Sequence, residues 1–260
     1  MAEKDKFTTL RLIENLEVSK SKGVNLYNKS IEDLKNASSV DDVMRIKQKL
    51  LFRLISALPL YTDTCYFCIY HRIHCEKCEY AKIHGKCGSS LYSQKSKKKF
   101  ASWDLISTYR WNLQYLIDSC YMFDDESFKT YFDPSVVKRI IKNLEESKND
   151  YIDTFDLLID NITKSDTVEE IMKFKQHALI SLIYNIPIYS TTCYFCLYQH
   201  SYICDGCEYG ERHGICGHDG KQERNKKRIS SWGKIKRSRK RLIDLISDTY
   251  VFEGEKYEIF

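Results

Sequence analysis

Proline and glycine are scarce here, with three and ten among 260 residues. That excludes a collagen-like or proline-rich chain, argues against a turn-rich sandwich, and leaves room for long helices. Long apolar runs are missing as well: nothing reaches the roughly 18 uncharged apolar residues of a membrane span. The first residues, Met1-Ala2-Glu3-Lys4-Asp5-Lys6-Phe7, are charged and hold no apolar signal core. No glycine-rich phosphate loop, GxSxG elbow or HExxH pair is present. The expectation from these absences is a cytoplasmic, non-catalytic protein outside the membrane.

Cysteine, by contrast, is plentiful and clustered. Ten of the eleven cysteines fall in two short segments, with Cys120 outside them. The first holds Cys65, Cys68, Cys75, Cys78 and Cys87; the second holds Cys193, Cys196, Cys204, Cys207 and Cys216. Two CxxC pairs separated by a short loop read as a metal site before a disulfide framework in a reducing compartment. Five cysteines per segment also cannot all pair within it. Thiolates suit zinc, iron–sulfur clusters or copper(I). The simplest ligand set is the two CxxC pairs of each segment, closing a tetrahedral zinc site. A competing set trades one of these for Cys87 or Cys216. His71 and His200 stand four residues before the second CxxC, and His84 and His213 open a His-Gly before the last cysteine. These four histidines are expected beside a metal rather than on it. One zinc per segment, two in all, is expected, with an iron–sulfur cluster as the alternative.

The repetition extends beyond the cysteines. Arg11 to Glu17 matches Arg139 to Glu145, Ser39 to Met44 matches Thr167 to Met172, and Ser102-Trp103 matches Ser231-Trp232. The chain therefore reads as a tandem duplication of a mainly α domain. Each copy places a cysteine-rich, metal-binding knot between helices and has its own core. Repeat 1 is 1–128 with its knot at 65–88; repeat 2 is 135–260 with its knot at 193–217. Apolar spacing predicts helices over Leu10 to Asn36, with a break near Gly23, and over Val136 to Ile162. Ser39 with Asp42, and Thr167 with Glu170, form capping boxes for a second helix. A last helix begins at Ser102 or Ser231. Its stripe is Trp103, Ile106, Leu113 and Leu116, matched by Trp232, Ile235, Leu242 and Leu245. Arg110 and Arg239 interrupt that stripe. They are expected to snorkel to water or to pair with a carboxylate, Glu79 and Glu208 being the candidates.

The pattern CxxC, six or seven residues, CxxC, eight residues, Cys resembles cysteine-rich modules of uncharacterised phage and archaeal proteins. The likeness spans the knot and the start of the last helix. It implies metal binding and no defined activity.

Net charge is +5, but its distribution is uneven. Between Lys221 and Arg241 the only acid is Glu223. Lys226, Lys227 and Arg228 precede the last helix, and Lys234, Lys236, Arg237, Lys240 and Arg241 lie on it. The first copy has only Lys95 and Lys97 to Lys99 in the matching loop. A basic helix beside a zinc knot suggests phosphate contact. The leading expectation is a zinc-stapled repeat protein that binds nucleic acid or a nucleic-acid machine. The alternatives are a protein–protein adaptor or inhibitor using the knots, and an iron–sulfur redox or sensor protein.

Overall fold

The computed structural model describes residues 4–87, 101–199, 206–214, 216 and 230–257. Cys204, His200, Lys226, Lys227 and Arg228 lie outside these, as do residues 95 and 97–99. The described residues form helices and turns and contain no strand. In order these are α1 (Lys6–Lys35), α2 (Val40–Ser56), α3 (Tyr66–Tyr70), α4 (Glu79–His84) and α5 (Ser102–Cys120) in the first half. The second half has α6 (Pro134–Lys164), α7 (Val168–Tyr184), α8 (Tyr194–Tyr198), α9 (Glu208–His213) and α10 (Ser231–Thr249). A single 3-10 turn precedes the first cysteine of each half, at Thr62–Thr64 and Ser190–Thr192.

The helix ends have local causes. Asp5 caps α1 by accepting from Thr8 N, and Asp133 caps α6, which opens on Pro134 at a position where a missing N–H costs nothing. Both capping boxes form, Ser39 with Asp42 and Thr167 with Glu170. The expected break at Gly23 does not occur. Helix α1 runs through it for 30 residues, about 45 Å at the helical rise. Gly23 instead lets α6 come close: a Cβ there would lie 2.2 Å from the Tyr151 hydroxyl oxygen.

Helices α1 and α6 pack on each other, and so do α5 and α10. Between these pairs, α2 joins α1 to α5 and α7 joins α6 to α10. The expected separate cores give way to one apolar cluster. It runs from Leu12 and Leu16 through Ile55 and Ile106 to Phe155, Leu179 and Ile246. Nor is the segment joining the halves a free linker. Phe128 N donates to Asp41 Oδ1 (2.8 Å), and the Phe128 ring lies 4.8 Å from that of Phe195. Among the described residues no helix is long and apolar enough to cross a membrane.

Candidate metal centres and nucleic-acid interface

In the first half, Cys65 closes the 3-10 turn and caps α3, and Cys68 lies within that helix. The chain then reverses through Arg72 and Ile73, at φ +49° and +68°. This left-handed backbone is unusual for a β-branched side chain. It lets Ile73 N donate to Cys68 O (2.9 Å) and Cys75 N to Ile73 O (3.0 Å). Cys78 caps α4, and Gly85 ends it at φ +85°. A Cβ on Gly85 would approach the Ala101 backbone to 3.1 Å; on Gly214, at φ +82°, it would approach Ser230 to 3.0 Å. The recurrent glycine after each histidine is thus a tight stop that brings the start of α5 or α10 against the cysteine segment.

No described cysteine is in a disulfide. A hydrogen bond between Cys65 and Cys68 pulls the first thiol down to about 6 and pushes the second up. Burial raises Cys78 to about 11 and Cys87 to about 12, and the charge of Cys65 adds to both. The same hydrogen bond joins Cys193 to Cys196, which also feels Cys207 and Cys216. Among the described residues, no three or more Cys, His, Asp or Glu side chains gather as a metal-holding group.

Two buried lysines reach these segments from the opposite half. Lys47 of α2 donates from Nζ to Thr192 O (2.6 Å) and Thr192 Oγ1 (2.8 Å), just before Cys193. Lys175 of α7 donates to Thr64 O, just before Cys65. Burial lowers both amines to about 8, while the nearby thiols act in the other direction. Sequence reasoning missed them. The available signal was a lysine inside each apolar stripe at matched positions.

The histidines also connect the halves. His84 Nε2 lies 2.7 Å from Glu255 Oε1 and its Nδ1 lies 3.2 Å from Ser102 Oγ. Its ring is stacked between Tyr80 and Phe252. His213 repeats this with Glu126 (2.8 Å), Ser231 (3.3 Å), Tyr209 and Phe123. His71 pairs with Glu79 instead.

That pairing removes the carboxylate expected for Arg110. Its guanidinium is buried over the Tyr61 ring, 4.7 Å from the centroid, and its Nε and Nη1 have no hydrogen-bond partner among the described residues. Arg239 is also without Glu208. It donates to Tyr184 O (3.3 Å) and lies over the rings of Tyr184 and Tyr189. Glu208 accepts from Lys129 N, Thr130 N and Thr130 Oγ1 in the joining segment. In both cases aromatic faces replace the expected anion.

The described basic residues Lys234, Lys236, Arg237, Lys240 and Arg241 are all exposed on α10. No acid interrupts the chain from Ser230 to Ile243. In comparisons with protein-family models, curated proteins and solved structures, nothing matches this chain.

Proposed function

We propose that this is a non-catalytic nucleic-acid-binding protein, built by tandem duplication and stapled at its two cysteine segments by metal, zinc first. The observation that carries the reading is the set of five solvent-exposed cations on α10, in a stretch from Ser230 to Ile243 that holds no acid. Such a density of positive charge suits the phosphates of a nucleic acid and gives a binding constant that falls steeply with salt.

The donor chemistry supports metal. The cysteines are soft ligands, and the described ones repel one another's negative charge. A dication would relieve that repulsion and deprotonate the remaining thiols. Cys65, Cys68, Cys75, Cys78 and Cys87, with Cys193, Cys196, Cys204, Cys207 and Cys216, are the donors from which each set is drawn. His71, His84 and His213 each have a carboxylate partner already, which favours all-thiolate sets.

The test is a salt titration of binding to labelled DNA and RNA, with metal analysis and a visible spectrum of the same preparation. Expected are about two zinc ions per chain, a colourless protein, and log affinity that declines linearly with log salt. A brown protein would replace zinc by an iron–sulfur cluster. A chain that binds neither nucleic acid at low salt would transfer the reading to a protein–protein adaptor. Exposed Trp111 and Tyr115 would then be its first candidate contacts.

A further inference from the structure

The five cations of α10 do not share one face. Lys234, Arg237 and Arg241 recur at steps of three and four, so they form one row. That row borders a groove of about 360 Å³ shared with α5, whose wall is Tyr109, Asn112, Tyr115 and Leu116. Lys236 and Lys240 fall outside the groove lining, and Lys236 Nζ sits 5.8 Å from the Trp232 ring centroid. One wall of the groove is therefore cationic and the other aromatic.

The two walls share repeat positions in part, and the halves differ there. With the 129-residue offset, Tyr109 corresponds to Ser238, Asn112 to Arg241 and Tyr115 to Asp244. Lys234 and Arg237 stand where the first half has Leu105 and Thr108. Three apolar core positions of the same helices are unchanged: Ile106 and Ile235, Leu113 and Leu242, Ile117 and Ile246. Packing explains the shared residues. It does not explain a tyrosine left 68% exposed at position 115 opposite three cations.

We infer that this groove binds single-stranded nucleic acid, with Lys234, Arg237 and Arg241 on the phosphates and Tyr109 and Tyr115 stacking on bases. The inference rests on the nucleic-acid reading above and narrows its ligand. A duplex keeps its bases stacked on each other and offers the tyrosines no free base face, whereas a single strand does. From Lys234 to Arg241 the cations span about 10 Å of helix, enough to follow a backbone past one phosphate. An acidic peptide would satisfy the cations but leave the aromatic wall without a flat partner.

The experiment uses the full chain and fluorescence anisotropy, with a labelled oligothymidine, a duplex of equal length, and an oligoglutamate as competitor. Tyr115→Ala should weaken single-strand binding about 5- to 100-fold and leave the salt slope unchanged, while Tyr115→Phe should bind as the parent does. K234Q/R237Q/R241Q should weaken binding and reduce the slope by about 2. K236Q/K240Q should change both far less. Circular dichroism confirms that each variant folds, as expected for exposed positions. If Tyr115→Ala binds like the parent while the triple variant fails, phosphate contact stands and the single-strand groove is overturned. Duplex binding as tight as single-strand binding, or equal competition by oligoglutamate, overturns it as well. If the parent binds neither strand nor duplex at low salt, the broader reading falls first.

Discussion

His84 and His213 stand where a metal ligand could stand, yet each directs both ring nitrogens elsewhere. A serine takes one and a glutamate from the opposite half takes the other. These are buried pairs, and removing one member leaves a charge or polar group without compensation. Glu126→Ala should therefore lower stability by about 3 kcal/mol or more. The Glu255 side chain is equally buried against His84, so Glu255→Ala should cost a similar amount. Urea unfolding of both variants measures the two costs; negligible costs would show that neither pair matters. Arg110 is the opposite case. Its guanidinium is buried over Tyr61 with two donors unpartnered among the described residues, an arrangement that contributes ring attraction at the expense of hydrogen bonds.

At the scale of elements, the crossing of α1 and α6 depends on Gly23. The position is buried and the Tyr151 ring occupies the space a side chain would need. Gly23→Ala gains helix propensity, worth roughly 1 kcal/mol in an exposed helix. Here that gain meets an aromatic ring at 2.2 Å. Overpacking of this kind costs about 1–3 kcal/mol, so the net effect should be destabilising. A double variant, Gly23→Ala with Tyr151→Leu, should recover part of the loss. Thermal melts of both decide it: a stabilised single variant would mean that the helices slide apart without penalty.

For the molecule as a whole, the contacts between halves are reciprocal. Lys47 reaches Thr192 and Lys175 reaches Thr64. Tyr80 donates to Tyr250 O and Tyr209 to Tyr121 O. This is how a two-fold interface pairs its residues, contained within one chain. Each half uses the tail of the other's last helix to cover its cysteine segment. The halves should then unfold together. Single-tryptophan variants that keep Trp103 or Trp232 should show one shared urea midpoint. Likewise Cys65→Ser should reduce hydrogen-exchange protection in α6 and α7 as well as in α1 and α2. Two midpoints, or loss confined to the first half, would show independent domains.

Local physics made much of this legible before any coordinates. Apolar spacing identified α1, α2, α5 and their partners, because one buried stripe per helix is a property of neighbours along the chain. Ser39 with Asp42, and Thr167 with Glu170, marked helix starts for the same reason. The CxxC pairs and the basic row of α10 were visible as short-range patterns. What only the tertiary structure decided was who faces whom across more than a hundred residues. Spacing could not show that Lys47 and Lys175 cross to the opposite half, that Glu255 rather than a cysteine holds His84, or that Gly23 is a contact and not a break. Nor could it separate Lys234, Arg237 and Arg241 from Lys236 and Lys240, since a groove needs two walls and its second wall comes from a helix 129 positions away. A buried charge or a missing side chain takes its meaning from its partner, and the partner is chosen by packing.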